Sequence, residues 1–232
     1  MVRKKKNTMN TKARNLIAED NPKSPIAEQY RTIRTNLQFT SVDHELETML
    51  VTSAGPSEGK SMTTANTAAV FAQQQKRTLL VDADMRKPTV QYTFRIQNML
   101  GLSNYLAGTQ RVKDLVNTTH VDYLDVITSG PVPPNPSELL GSHKMEQFIN
   151  EAKQHYDMII FDTPPVLAVT DSQVLSNYVD GVLLVVRSKQ TEKEAAAKAK
   201  EKLDQAKANV LGVVLNDQEI TSSSNYYYYY GQ

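Results

Sequence analysis

Residues 49–61 read Met49-Leu50-Val51-Thr52-Ser53-Ala54-Gly55-Pro56-Ser57-Glu58-Gly59-Lys60-Ser61. A short apolar, β-branched run gives way to a glycine-bearing turn, and a helical stretch over residues 60–75 follows. The turn meets the pattern G-x-x-x-x-G-K-[ST], except that Ala54 stands where the first glycine belongs. Such a loop wraps backbone N–H groups round a β-phosphate, and the positive end of the following helix favours the negative charge. Gly59 lets the backbone approach the phosphate closely. Lys60 is placed for the β/γ-phosphate oxygens, and the Ser61 hydroxyl for Mg²⁺. Met62 stands where a second hydroxyl residue is common, so one α-phosphate hydrogen bond is expected to be missing. The candidate nucleotide-binding residues are thus Gly55, Pro56, Ser57, Glu58, Gly59, Lys60, Ser61 and Met62. A chance glycine-rich turn is the alternative, and the position between strand and helix speaks against it.

Outward from this loop, five further apolar runs look like buried parallel strands: 78–82, 124–128, 158–162, 182–186 and 210–215. Helix-like stretches lie at 137–155, 171–177 and 191–208. Strand alternating with helix predicts an α/β P-loop NTPase fold, a mostly parallel sheet with helices on both faces. Ligands of such sheets bind at the carboxyl ends of the strands. Before the first strand, Ile26, Tyr30, Ile33 and Leu37 recur at helical spacing and predict an amphipathic helix over 24–40. The expected division is a flexible basic arm at 1–23, a P-loop domain with its N-terminal helix at 24–218, and a flexible tyrosine-rich tail at 219–232.

A length of 232 residues suits one sizeable α/β domain. Formal net charge is +1, so the whole molecule is no polyanion binder and nucleic acid is not expected as a partner. Cysteine is absent, which excludes disulfides and cysteine-ligated metals and fits a reducing compartment. The four histidines are scattered and suggest no metal cluster. No run approaches the roughly 20 apolar residues that span a bilayer. The basic start at residues 3–6 has no apolar core behind it, so it does not read as a signal peptide. It reads as a solvated arm, or as a weak attractor for anionic lipid or a membrane-bound partner.

Three aspartates fall at strand ends. Asp82 and Asp84 stand in Asp82-Ala83-Asp84-Met85-Arg86-Lys87-Pro88, and Asp162 in Phe161-Asp162-Thr163-Pro164-Pro165. Each should emerge at the sheet edge that carries the phosphate loop. Carboxylates there hold Mg²⁺ directly or through water, and one can accept a proton from an attacking hydroxyl. Any one of them alone could be a helix cap. Three beside a phosphate loop are hard to explain that way.

These motifs together carry a family resemblance. LLVDADMRKP, MIIFDTPP and the loop SAGPSEGKS, with the stretches EQYRTIRTN and LDVITSGPVPPNPSELL and the C-terminal tyrosines, resemble the bacterial tyrosine kinases of capsule and exopolysaccharide synthesis. The resemblance spans nearly the whole chain. The length is similar to the form in which the kinase is a separate cytoplasmic protein activated by a membrane adaptor; in the other form the two are fused. The resemblance implies that Lys60 and Ser61 handle phosphate and magnesium. It implies that Asp82 and Asp84 act on the metal and the incoming tyrosine hydroxyl, and that Asp162 orders a metal-bound water. Ser61, Asp82 and Asp162 are then the metal candidates, ATP and Mg²⁺ the cofactors. Which of Asp82 and Asp84 is the base stays open. The implied fold is related to the partition and division-site ATPases. Those carry an extra lysine early in the loop where this chain has Gly55, which speaks for the kinase branch.

Tyr226, Tyr227, Tyr228, Tyr229 and Tyr230 are consecutive. They are a low-complexity patch or a flexible phosphate acceptor, and the resemblance favours acceptors phosphorylated in trans. Glu28, Arg31 and Arg34 lie three apart on one side of the N-terminal helix. By spacing alone they are a solvated face with an internal Glu–Arg pair. In the family, E-x-x-R-x-x-R is a subunit contact that supports a ring-shaped homo-oligomer, for which an octamer is one size. The resemblance also implies a transmembrane polysaccharide co-polymerase adaptor whose cytoplasmic tail activates the kinase, a tyrosine phosphatase that resets it, and recruitment to the inner face of the cell membrane. Asn216, at the end of the last strand, is either an adenine-reading amide or a turn residue. Asp171 reads as a helix cap or a site residue, and residues 131–136 as a rigid loop without assigned chemistry. Two other functions compete: an ATPase switch of the partition and division-site type, and a scaffold with structural ATP. Gly55 and the tyrosines oppose the first, and the intact strand-end aspartates oppose the second.

Overall fold

The computed structural model describes residues 15–40 and 45–219. Seven strands form one sheet: β1 (Thr48–Ser53), β2 (Thr78–Asp82), β3 (Asn117–Thr118), β4 (Leu124–Ile127), β5 (Met158–Asp162), β6 (Gly181–Arg187) and β7 (Val210–Asn216). Their order across the sheet is β3-β4-β2-β5-β1-β6-β7. All neighbours pair parallel except β3, which runs antiparallel to β4 at one edge. The helices are α1 (Ile17–Asp20), α2 (Pro25–Thr40), α3 (Lys60–Ala72), α4 (Val90–Phe94), α5 (Leu102–Leu106), α6 (Pro136–Leu140), α7 (His143–Lys153), α8 (Asp171–Leu175) and α9 (Lys193–Gln205).

Side chains alternate along each strand, so the sheet builds two cores. On one face Met49, Val51, Leu80, Val126 and Ile160 pack against α3 and, beyond it, against Leu37 of α2 and Leu16 and Ala18 at α1. On the other, Leu50, Leu79, Val81, Ile127 and Phe161 pack against Leu140, Phe148 and Leu203 of the helices there. Eleven of the thirteen residues of α3 are buried, because it lies between the sheet and α2. The small residues Thr63, Thr64, Ala65, Thr67, Ala68 and Ala69 let both neighbours come close.

Two departures from the sequence expectations have clear causes. The helix expected over 137–155 is two helices, α6 and α7, with a break at Gly141 and Ser142. The packed region also reaches back before residue 24. Ala18 donates its N–H to Asn66 Oδ1 at 2.9 Å and accepts Gln73 Nε2 at 2.9 Å, which staples α1 onto α3. Strand β3 has only two residues, too short to leave a pattern.

The order of the strands positions the site. The phosphate-loop strand β1 and the aspartate strands β2 and β5 are adjacent, with β5 between the other two, and Asp82 pairs in register with Asp162. Their carboxyl ends therefore open on one spot at the sheet edge.

Candidate active site

The loop between β1 and α3 is shaped by residues in left-handed conformations. Ser57 has φ 65° and Gly59 φ 88°. A Cβ on Gly59 would lie 2.0 Å from Asn216 Nδ2, so no other residue fits there without displacement. The Glu58 side chain turns inward. One oxygen accepts the Ala54 N–H at 2.9 Å, and the other accepts the Thr191 hydroxyl at 2.7 Å. Asn216, at the end of β7, donates its amide to the Glu58 carbonyl at 2.9 Å.

Lys60 opens α3, and its ammonium is nearly enclosed. It stands 3.0 Å from Asp162 Oδ1, 3.3 Å from Asp84 Oδ2 and 3.2 Å from Ser61 Oγ. Burial pulls the pKa of this lysine down, but Asp162 and Asp84 outweigh it and leave the ammonium above its ordinary value. The Thr64 hydroxyl lies 3.2 Å from Asp162 Oδ1. Asp162 Oδ2 is buried and has no hydrogen-bond partner. The turn after Asp162 is fixed from behind, where Thr52 and Ser172 donate to the Pro164 carbonyl at 2.9 and 2.6 Å.

Asp82 and Asp84 play different parts. Asp82 is fully buried, and its oxygens accept the N–H groups of Asp84 at 3.1 Å, Thr89 at 3.0 Å and Val90 at 3.0 Å. Desolvation, helped by the charge of Asp162, pushes its pKa up to about 7 against those bonds. Asp84 reaches the wall of a cleft of about 340 Å³, together with Ser57, Gly59, Lys60, Ser61 and Lys87. The Lys87 N–H donates to Asp84 Oδ1 at 3.0 Å and holds that carboxylate in place.

Of the sequence candidates, Pro56, Ser57, Glu58, Gly59, Lys60, Ser61 and Met62 line this cleft with Asp84. Asp162 lies directly beneath, in contact with Lys60. Gly55 faces a neighbouring hollow beside Ala168 and Thr191. Asn216 flanks the loop and lines a second cleft with Tyr30 and Ile33 of α2. Glu28 and Arg31 pair with each other at 2.7 Å, and Arg34 donates to the Val70 carbonyl at 2.5 Å in the last turn of α3. Tyr226 to Tyr230 lie outside the described residues. Among the described residues no group of three or more His, Cys, Asp or Glu forms a ready cage for a metal. The hard oxygens present, Ser61 Oγ and the unpartnered Asp162 Oδ2, suit Mg²⁺, which takes few protein ligands and fills its shell with phosphate and water. Asp82 fits that role less well, because its oxygens already serve backbone N–H groups.

A solved structure, the kinase domain of the Escherichia coli tyrosine kinase ETK, superposes with a TM-score of 0.85 at 38% identity, covering 90% of this chain and 82% of that one. The tyrosine-protein kinase YwqD of Bacillus subtilis (strain 168) is 51% identical over 217 residues, 94% of this chain and 92% of the relative. The AAA domain family model matches residues 46–212. The chain belongs to the bacterial tyrosine-protein kinases. A more distant likeness, a TM-score of 0.63 at 20% identity over 77% of this chain and 75% of the other, links the kinase's fold to the septum site-determining protein MinD of Pyrococcus horikoshii OT3. The kinase thus shares its architecture with the division-site ATPases, and its enzymatic class is protein-tyrosine kinase.

Asp171, which the sequence offers as a helix cap or a site residue, is fully buried and neither caps α8 nor faces the cleft; both its oxygens take Arg86, a residue not among the candidates, at 2.9 Å each. Arg86 also reaches Ser137 Oγ at 3.3 Å, so the segment after Asp84 is tied to α8 and to the start of α6. Thr64, Thr191 and Arg187 likewise touch the loop or its carboxylates. Only Thr64 could have been found in the sequence, one helical turn after Lys60 on the same face. Among the described residues no helix is long and apolar enough to cross a membrane.

Proposed function

We propose that the kinase transfers the γ-phosphoryl group of ATP, with Mg²⁺, to the tyrosines at 226–230 of a neighbouring copy, and thereby regulates capsule or exopolysaccharide synthesis and export. The observation that carries this reading is the Lys60 ammonium held between Asp84 and Asp162 at the mouth of a phosphate loop. A lysine in that place can move onto the β/γ-phosphates and leave two carboxylates facing the transfer. Ser61 and Asp162 would hold the metal, which when bound neutralises charge on the phosphate oxygens. Asp84, on the cleft wall, orients the incoming phenol hydroxyl. Asp82, beneath it, holds the 84–90 segment through three backbone N–H groups. Phosphoryl transfer with a loose transition state needs little help from a base, so positioning is the main task of these carboxylates.

The tail has the reach for this. β7 ends at the same sheet edge as the cleft, two strands from β1, and ten extended residues span on the order of 30 Å. The resemblance supports transfer in trans within a ring built on Glu28, Arg31 and Arg34, a cytoplasmic kinase recruited by the cytoplasmic tail of a membrane adaptor, and a phosphatase that resets the cycle. Each phosphate adds about −1.5 to −2 charge, so a fully phosphorylated tail repels its neighbours and loosens the ring.

The test is intact mass spectrometry with and without MgATP and the adaptor's cytoplasmic segment, beside a Lys60→Met control, with light scattering on the same samples. A ladder of phosphate-mass steps mapping to 226–230, absent from the control and accompanied by a fall in particle mass, is the expected result. ATP turnover without any ladder would sink the autophosphorylation reading.

A further inference from the structure

The residues that tie the phosphate loop to the far side of the sheet lie outside the phosphate cleft. Arg187 ends β6 and pairs in register with Asn216 of β7. Its Nη1 donates to the Ser57 carbonyl at 3.3 Å. Its Nε and Nη2 donate to Asp217 Oδ2 at 2.9 and 2.7 Å. Its own N–H donates to the Thr191 hydroxyl oxygen at 2.8 Å, and that hydroxyl donates onward to Glu58. Asn216, its strand partner, holds the Glu58 carbonyl. Two consecutive loop residues, Ser57 and Glu58, are therefore gripped by their carbonyls from the ends of β6 and β7.

That grip has a physical purpose. Ser57 is a non-glycine residue at φ 65°, a strained conformation that persists where neighbours over-determine it. A phosphate loop binds by pointing several N–H groups at one anion at once, so it works only while its backbone is held in that shape. Arg187 sits behind the loop and is absent from the cleft wall. Its charge is matched by Asp217, whose own φ is 57°. Beyond Asp217 the pairing continues, Ser188 with Gln218 at 3.1 Å and Lys189 with Glu219 at 2.5 Å. Residues 217–219 are the stretch from which the tyrosine-rich tail departs.

We propose that Arg187 is a positioning residue of the kinase: it holds the phosphate loop in its anion-binding shape through the Ser57 carbonyl, and Asp217 sets its guanidinium. The grip on nucleotide thereby depends on the segment that leads into the tyrosine-rich tail. The inference rests on nucleotide binding in this cleft and is independent of which tyrosines are phosphorylated.

Calorimetric titration with Mg²⁺ and either ADP or inorganic pyrophosphate tests it. Arg187→Ala should weaken both ligands by a similar factor, roughly tenfold, since one bond from a charged donor is removed. Arg187→Lys, which keeps the charge, should fall between. The ATP KM should rise in step while kcat changes little, because the lost interaction serves ground state and transition state alike. Asp217→Asn should weaken binding in the wild-type background and add little to Arg187→Ala, since it acts through that guanidinium. Arg77→Ala, at the opposite end of the sheet, serves as the neutral control. Affinities within twofold of wild type for Arg187→Ala would overturn the proposal. A loss confined to ADP would overturn it too, by making Arg187 a contact for the base. Fully additive losses at 187 and 217 would break the assigned coupling.

Discussion

Lys60→Met is the natural inactive control for this kinase, and the structure predicts that it is not a neutral one. The ammonium compensates Asp162 and Asp84 at 3.0 and 3.3 Å, and the three side chains are exposed by 9% or less. Removing it leaves Asp162 with the Thr64 hydroxyl as the remaining partner of Oδ1 and none at Oδ2. Breaking a buried pair by deleting one member costs about 3–5 kcal/mol, because the survivor stays buried and charged. With a urea slope of about 2–3 kcal/mol/M for a domain of this size, the unfolding midpoint should drop by roughly 1–2 M at pH 8. Far-UV circular dichroism in urea with EDTA measures it, since the chain has no tryptophan to report by fluorescence. Adding Asp162→Asn to Lys60→Met should recover much of the loss. Equal midpoints for wild type and Lys60→Met at pH 8, or no recovery on adding Asp162→Asn, would refute the electrostatic reading of this triad.

Gly59→Ala forces a side chain into φ 88° and against the Asn216 amide; strain and the lost bond to Glu58 together cost about 2–3 kcal/mol, and ADP affinity by calorimetry should fall more than tenfold. Asp82, whose pKa is raised to about 7, contributes stability that is complete below its unfolded value near pH 4 and lost as pH rises through about 7. Urea midpoints across pH 4–8 should thus show wild type losing stability relative to Asp82→Asn by a few kcal/mol over that window, and a flat difference would assign the shift to some other group.

The sequence made the sheet and the strand-end chemistry legible for one reason, and hid the rest for a related one. Buried parallel strands are written as apolar β-branched runs, so six of the seven strands appear within a residue or two of their ends. If all six run parallel, the residues that end them arrive at one edge whatever the order of strands. The sequence pattern alone therefore places Lys60, Asp82, Asp84 and Asp162 along one edge, and they meet there because β5 lies between β1 and β2. What cannot be read in this way is which strand lies beside which. The Arg187–Ser57, Thr191–Glu58 and Asn216–Glu58 contacts exist because β6 adjoins β1 and β7 adjoins β6, and Arg86 meets Asp171 because the segment after β2 lies against α8. Asp82 and Asp84 looked equivalent for the same reason. Two residues apart at one strand end, they differ only in how the following turn folds. The turn brings the N–H groups of Thr89 and Val90 back onto Asp82 and leaves Asp84 at the cleft wall. Keeping the aspartates alone would thus not keep the site, since a turn of another length after Lys87 would leave the buried Asp82 with the Asp84 N–H as its one remaining backbone donor. A one-residue insertion between Lys87 and Thr89 should cost the kinase both stability and the placement of Asp84, although every motif residue would still be present. Urea midpoints and ADP calorimetry on that variant check it, and wild-type values in both would show that the turn does not set the site.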